Sequence, residues 1–170
     1  MRRLLMMLVG SLLVSALSAL PAGAATTTTY HFWSKQTSST LFSAMGAPIT
    51  DPNAVPSAGD YFISTDNEYV GDHRKHAAAV YATDHIICTF VTVDPANNAF
   101  TALCDAQLAL PGGMIFSDHQ TLAFNNTNRL VVPITGGTGR YAAVKSGSSV
   151  TSITYNPKSN NSDLIGTIKR

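Results

Sequence analysis

The chain has 170 residues, of which 45% are hydrophobic and 12% charged, and its formal net charge is +1. No basic run exceeds Arg74-Lys75, and no aromatic residues are interleaved with bases, so the electrostatic signature of a nucleic-acid-binding protein is missing. The length suits one ordinary domain with room for a hydrophobic core.

The first 24 residues have the pattern of a secretory signal peptide. Arg2-Arg3 supply a basic start, an apolar run extends from Leu4 to Leu20, and Ala22-Gly23-Ala24 offers a cleavage site of small residues. The alternative is a membrane-anchoring helix, for which the run is short and interrupted by glycine and serines. Cleavage after Ala24 predicts a secreted, extracellular protein with no membrane contact, in which residues 25–170 form one domain.

The rest of the chain has the pattern of an all-β protein. Runs rich in Thr, Val, Ile, Tyr and Phe alternate with clusters of Gly, Pro, Asn and Asp, and helical periodicity is absent. Long polar loops are predicted over 43–59 and 67–76. The predicted strands are 28–34, 60–66, 79–83, 85–93, 99–110, 114–124, 129–135, 148–155 and 163–169. Many short strands at regular spacing favour a single antiparallel barrel or sandwich.

Two cysteines lie on neighbouring predicted strands joined by the loop from Asp94 to Asn98. If Val93 pairs with Ala99, Cys88 lies directly opposite Cys104, close to disulfide reach after modest local adjustment. Export would place both in an oxidising compartment. The pattern therefore predicts a Cys88–Cys104 disulfide, with two free buried thiols or a reactive cysteine as the alternatives.

Side-chain alternation assigns the faces of this hairpin. The interior face holds Ile86, Cys88 and Phe90 on one strand, and Ala102, Cys104, Ala106 and Leu108 on the next. The small alanines leave space in the lumen, and an eight-stranded barrel is either packed solid or holds one small ligand. The predicted ligand-cavity residues are Ile86, Phe90, Ala102, Ala106, Leu108 and, from the following strand, Phe116.

The strand after Pro111-Gly112-Gly113 carries the candidate catalytic residue, Asp118. A three-residue loop would turn Met114, Phe116, Asp118, Gln120, Leu122 and Phe124 inward, whereas a two-residue loop would turn Ser117, His119 and Thr121 inward. The first set is more apolar and is preferred. Asp118 would then be a carboxylate in an apolar cavity, with a pKa raised by desolvation, able to act as an acid or base. A solvated aspartate near a barrel mouth is the alternative.

No residue pattern indicates a metal or cofactor. His73 and His76 lie in a polar loop without a third ligand nearby, whereas a closed zinc site needs four ligands. The Gly-x-Ser-x-Gly elbow and cysteine–histidine signatures are also absent. We therefore expect neither a metal nor a cofactor.

A glycine-rich loop, Gly136-Gly137-Thr138-Gly139-Arg140-Tyr141, follows the strand-like run from Leu130 to Thr135. Three glycines in four positions allow a tight turn at positive φ. A phosphate-binding loop would need a helix of useful length behind it, and the chain reaches Gly147 too soon for one.

This loop resembles the signature of the allene oxide cyclase/dirigent barrel family. The stretches from Gly59 to Ile63 and from Ile87 to Thr89 add pattern-level similarity over roughly residues 28–170. The resemblance implies a single antiparallel β-barrel of about eight strands with a central cavity. It also implies that Gly136, Gly137 and Gly139 form a structural loop, and that Cys88 lines the barrel.

The functional residues of that family are only partly present. Plant cyclases carry a glutamate in the first strand, where the stretch from Tyr30 to Lys35 has no carboxylate. Dirigent proteins that orient lignan coupling carry aspartates in that strand and in the glycine loop, where this chain has Arg140.

Two hypotheses follow from these observations. The first is a secreted dirigent- or cyclase-like barrel that binds a small hydrophobic or phenolic molecule and guides its cyclisation or isomerisation. The second is a secreted, non-catalytic binding or structural barrel. The sequence leaves open whether the protein is an enzyme, which would be a cofactor-free isomerase or cyclase, and whether it forms a homo-oligomer. An acid or base that reaches the lumen discriminates the two hypotheses.

Overall fold

The computed structural model describes residues 26–125, 128–156 and 161–170, and the predicted signal peptide lies outside these ranges. The strands are β1 (Thr27–Phe42), β2 (Pro48–Ile49), β3 (Tyr61–Val70), β4 (Ala82–Asp94), β5 (Ala99–Leu110), β6 (Gly113–Asn125), β7 (Arg129–Pro133), β8 (Gly136–Gly137), β9 (Ser149–Asn156) and β10 (Asn161–Lys169). Within these ranges the helical elements are two single 3-10 turns, Pro95–Asn97 and Gly139–Tyr141. Neither turn has the length needed to cross a membrane.

The strands form one antiparallel sheet in the order β7-β9-β10-β1-β3-β4-β5-β6-β8, with β2 paired to β1. The two ends of this order meet because β7 and β8 are consecutive along the chain. The Ile134 N–H donates to the Ser148 carbonyl (3.0 Å), and the Thr135 N–H donates to the Phe116 carbonyl (2.9 Å). One segment thus joins β9 to β6 and curls the sheet into a barrel, which confirms the predicted all-β class.

Three strands are longer than their sequence patterns indicated. β1 continues to Phe42, β3 continues to Val70 inside a predicted loop, and β4 merges the predicted strands 79–83 and 85–93. The extensions of β3 and β4 were hidden because they turn the acidic side chains of Glu68 and Asp84 inward. The same two strands leave Ile63 and Ile87 exposed on the outside. This pattern reverses the usual alternation of apolar residues inside and polar residues outside.

The β4–β5 hairpin confirms the predicted disulfide. Cys88 pairs with Cys104 across the strands, and their sulfurs are bonded. The predicted pairing beside the turn was wrong, however, because Asp94 rather than Val93 opposes Ala99. A β-bulge between Phe90 and Thr92 absorbs this one-residue difference, so the cysteines still meet.

The β5–β6 hairpin corrects the predicted face of β6. Leu110 pairs with Gly113, so the turn has two residues, and Ser117 is buried. Asp118 is exposed, and its predicted position in the lumen was wrong. A second bulge follows at His119, which has a φ of 54° and opposes Asp105 together with Asp118. Beyond this bulge, Leu122 is buried and lines the lumen as predicted.

The glycine loop closes the barrel by packing directly against the β5–β6 turn. The Thr138 N–H donates to the Met114 carbonyl (2.7 Å), and the Arg140 N–H donates to the Gly112 carbonyl (2.9 Å). A Cβ placed on Gly139 would lie 2.3 Å from the Gly112 oxygen. The loop's backbone donors therefore serve its own neighbouring strand, and the glycines are required by close approach of two backbones.

We expect Gly139→Ala to lower the free energy of unfolding by about 2–4 kcal/mol, because a positive φ and a clash with fixed backbone both oppose the new methyl group. Gly147→Ala is the matched control. Gly147 also has a positive φ (81°), but its Cβ would meet mainly the flexible end of Lys169. Its cost should be about 1 kcal/mol. Urea denaturation of both variants measures the difference, and equal costs would contradict the interlocked packing.

Candidate functional site

The barrel encloses two connected spaces. The inner compartment has a volume of about 150 Å³, and the outer compartment has a volume of about 500 Å³. Their linings have seven residues in common: Asp66, Ile86, Ala106, Leu130, Val132, Ser152 and Ser162. Together they offer the volume of a typical small-molecule site.

Most of the residues predicted to form a ligand cavity do border these spaces. Ile86 and Ala106 line both compartments, Leu108 and Phe116 line the inner one, and Phe90 lines the outer one. Ala102 lines neither compartment, since it is fully buried beside the disulfide. Contact of these residues with a ligand remains a prediction.

Three carboxyl groups converge inside the barrel: Asp66, Glu68 and Asp84, here called the carboxyl cluster. Asp66 and Asp84 line the inner compartment, whereas Glu68 is buried beside them and lines neither compartment. β3 directs Asp66 and Glu68 to one face because they are two residues apart, and Asp84 of β4 pairs directly with Asp66. One oxygen from each carboxyl lies within 4.8 Å of the others. Their exposed fractions are 9%, 0% and 8%. The interior therefore contains the acidic groups that would distinguish an enzyme from an inert barrel.

Few donors serve this cluster. The Ser34 hydroxyl lies 2.8 Å from Glu68 Oε1 and 3.2 Å from Asp66 Oδ2, and it has a single hydrogen to donate. The Ser64 hydroxyl donates to Asp66 Oδ1 (3.1 Å), and the Asp66 N–H donates to Asp84 Oδ1 (3.1 Å). Glu68 Oε2 is buried without a hydrogen-bond partner.

Burial keeps protons on the cluster near neutral pH. Burial, together with the charges of Asp66 and Glu68, raises the pKa of Asp84 to about 8. Burial also raises the pKa of Glu68 to about 7, against the opposing effect of the Ser34 hydrogen bond. The pKa of Asp66 is raised by burial and held back by hydrogen bonds from Ser64 and Ser34. Around neutral pH the cluster therefore contains both carboxylic acids and carboxylates.

The cluster oxygens are also hard ligands of the kind that a divalent cation prefers. Such a cation takes about six or more oxygens, so these three would supply only part of its shell. We assign no metal to them.

The carboxyl cluster was not predicted from the sequence, because each of its residues fell outside a predicted strand or at the end of one. Glu68 fell in a predicted loop, Asp84 fell between two predicted strands, and Asp66 stood at a predicted strand end. One signal was available, because continuing the interior alternation from Cys88 through Ile86 leads to Asp84. The absence of a carboxylate from β1 holds, and Ser34 occupies that wall as a donor to the cluster.

The histidines of the loop after β3 have a different environment. His73 Nδ1 lies 2.7 Å from Asp163 Oδ2, and the His73 N–H donates to Asp163 Oδ1 (2.7 Å). The His73 ring stacks on Tyr155, and His76 lies near Trp33. These contacts anchor the loop to β10, and neither histidine lines the lumen compartments.

Solved structures of other proteins share the fold of this chain, although its sequence matches no known family model. No protein-family model matches the sequence, and no curated protein matches it significantly. Among the solved structures with a similar fold are three proteins of different description. A protein described as pyocyanin demethylase has a TM-score of 0.56 and 22% identity, and the match covers 83% of this chain and 99% of that one.

Two other structures match at lower identity. A pterocarpan synthase dirigent protein has a TM-score of 0.52 and 12% identity, with 85% and 84% of the two chains covered. A Diels–Alderase from Streptomyces koyangensis has a TM-score of 0.52 and 12% identity, with 85% and 63% covered. At these identities the likeness concerns the fold alone. It confirms the predicted resemblance: the chain has the barrel fold found in dirigent proteins and in cyclase barrels.

Proposed function

We propose that the protein is an exported barrel that binds a small apolar or phenolic molecule and guides its cyclisation or isomerisation by acid–base chemistry, without a cofactor. The observation that carries the proposal is the carboxyl cluster, which lies where a largely apolar lumen offers room for a ligand. The disulfide supports export, because such bonds persist in oxidising compartments.

The cluster could supply a proton and then recover it. A protonated Asp84, with Glu68 as its neighbour in the cluster, donates to an oxygen of the bound molecule, and the resulting carboxylate accepts a proton from another atom of the same molecule. The sum is an isomerisation with no net proton change. The Ser117 hydroxyl, buried in the inner wall without a partner, would hold a phenolic oxygen. The apolar walls would exclude water and hold one reactive conformer.

The names of the similar structures do not point to a single reaction. Two of them are ring-forming proteins by name, whereas the third is named a demethylase. The fold therefore hosts more than one chemistry, and the argument for proton transfer rests on the cluster itself. A non-catalytic binding barrel would need only the cavity, so the experiment must separate binding from turnover.

Cyclisation of 2′-hydroxychalcone to flavanone tests this proposal, because it is an isomerisation of a phenol that needs only proton transfers. We expect the protein to raise the rate at least about tenfold over buffer and to favour one flavanone enantiomer. The ratio of protein to buffer rate should fall as pH rises through about 7 to 8, where Glu68 and Asp84 lose their protons. Chiral chromatography measures both rate and enantiomer ratio.

Glu68→Gln and Asp84→Asn should return the reaction to the racemic buffer rate, and Asp118→Asn is the matched control because Asp118 is exposed on the outside. Binding of the chalcone with no rate or enantiomer effect would favour the non-catalytic barrel. Absence of both binding and turnover would contradict the proposal.

A further inference from the structure

The charges inside the barrel are unbalanced. The carboxyl cluster places two acidic groups, Asp66 and Asp84, in the wall of the inner compartment, with Glu68 buried beside them. No Lys, Arg or His is among the described residues that line this compartment. Arg129 lines the outer compartment only, and it is exposed. A carboxylate formed in the cluster therefore has no cationic side chain beside it, which is costly in a buried site.

The cluster is short of hydrogen-bond donors as well as of cationic side chains. Glu68 is 0% exposed, and its Oε2 atom has no hydrogen-bond partner. The Ser34 hydroxyl has one hydrogen to share between Glu68 and Asp66. The cluster thus has more acceptors than donors, and a ligand that brings N–H donors and positive charge would correct both deficits.

The volume of the inner compartment limits the size of the ligand group that carries the positive charge. A cavity of about 150 Å³ lined by aliphatic and aromatic side chains accepts a molecule the size of benzene. The inner compartment has this volume, with walls that include Leu108, Ile115, Leu130 and Leu164. One six-membered ring fits there, and the rest of a larger molecule would extend into the outer compartment.

We infer that the lumen recognises a cationic nitrogen: the ligand is a small ring compound with an amine or a comparable protonated nitrogen, held by the carboxyl groups of Asp66 and Asp84, with Glu68 buried beside them. This inference rests on the lumen being the ligand site proposed above, and it names the class of ligand. The same charges would repel carboxylates and other anionic ligands.

Proton transfer balances the charge in either form of the ligand. A neutral amine takes a proton from a carboxylic acid of the cluster, so an O–H bond breaks, an N–H bond forms, and the electron pair stays on the carboxylate. An ammonium ion that enters already charged instead displaces a cluster proton to solvent. Both routes end in an ion pair, and the raised pKa values of Glu68 and Asp84 place this exchange near neutral pH.

Three ligands of matched shape test the inference by calorimetry: 2-naphthylmethylamine, the neutral 2-naphthalenemethanol, and the anionic 2-naphthoate. Near neutral pH we expect the amine to bind at least about tenfold more tightly than the alcohol, which is worth about 1.4 kcal/mol. The alcohol should in turn bind more tightly than the naphthoate. Glu68→Gln and Asp84→Asn should each shrink the amine-to-alcohol ratio to about twofold or less, whereas Asp118→Asn should leave it unchanged.

The pH dependence gives a second readout on the unaltered protein. The titratable groups facing the site are Asp66 on β3 and Asp84 on β4, with Glu68 buried beside them, whereas β1, β9 and β10 contribute Ser34, Ser152 and Ser162. An alkylammonium, like a lysine side chain with its pKa of about 10.4, stays protonated through neutral pH. Affinity for the amine should therefore rise from about pH 6 to about pH 8 as the cluster loses protons, while affinity for the alcohol should not rise.

The outcomes separate the two proposals. Equal affinities for amine and alcohol at both pH values would overturn the cationic ligand class while leaving lumen binding intact. Failure of all three compounds to bind would overturn this inference, and chalcone turnover would still decide the proposed reaction. A ratio preserved in both cluster variants would also overturn it, because the cation would then be recognised elsewhere.

Discussion

Raising the pH from about 5 to about 8 is expected to lower the melting temperature of the protein by about 10 °C or more. Glu68 and Asp84 have pKa values of about 7 and about 8 in the fold, against ordinary values of 4.5 and 3.8. Between the ordinary and the folded values, the unfolded chain has released protons that the folded protein still holds. Stability therefore falls with pH across this window and levels off above about pH 8. A loss of several kcal/mol corresponds to a shift of this size.

Variants at the same positions isolate this effect from the titration of histidines. Glu68→Gln and Asp84→Asn should each reduce the slope of melting temperature against pH and should be more stable than the parent protein near pH 8. Asp118→Asn should keep the parent slope. Scanning calorimetry at constant ionic strength measures all four proteins. A parent melting temperature that is unchanged across this range would contradict the buried, protonated cluster.

Replacing Cys88 and Cys104 together by alanine is expected to lower the free energy of unfolding by about 3 kcal/mol. The bond joins residues 16 apart in sequence, and closing a loop of about 15 residues contributes about that much in the chain-entropy model. Both side chains are buried, at 1% and 2% exposure, so the loss of sulfur packing adds to the cost. Guanidinium denaturation measures the change.

Reduction provides the matched comparison. Dithiothreitol should destabilise the parent protein and leave the double variant unaffected. Thiol titration of the denatured, unreduced protein should find no free thiol. Two thiols per chain would contradict the bond and, with it, the pairing of Cys88 with Cys104 across β4 and β5.

The disulfide also changes how the family resemblance is interpreted. The family resemblance matches Cys88 to the cysteine that lines the barrel of the plant cyclases, yet here Cys88 is bonded to Cys104 and offers no thiol. Acid–base chemistry in this barrel would therefore depend on the carboxyl cluster, which lies on β3 and β4 rather than on the first strand. The same fold would then place its acids on different strands.

The sequence alone was sufficient for features that depend on neighbours along the chain. Strand-like runs and turn residues predicted the all-β class, and the short connection between β4 and β5 predicted the disulfide. The glycine loop carried the family resemblance that implied the barrel, and the structure shows that only glycine fits where the backbones of Gly139 and Gly112 approach. These features follow from local stereochemistry, which a sequence displays directly.

The position of the acids was decided only by the tertiary structure. Asp118 was predicted inside and lies outside, because a turn shorter by one residue exchanges the two faces of a strand and a bulge at His119 exchanges them again. Asp66, Glu68 and Asp84 lie inside, although their strands also present Ile63 and Ile87 to solvent. Apart from the alternation that leads from Cys88 through Ile86 to Asp84, a burial pattern opposite to the usual one carries no signal in a single sequence. It becomes visible only when the curvature of the closed sheet shows which face is the lumen.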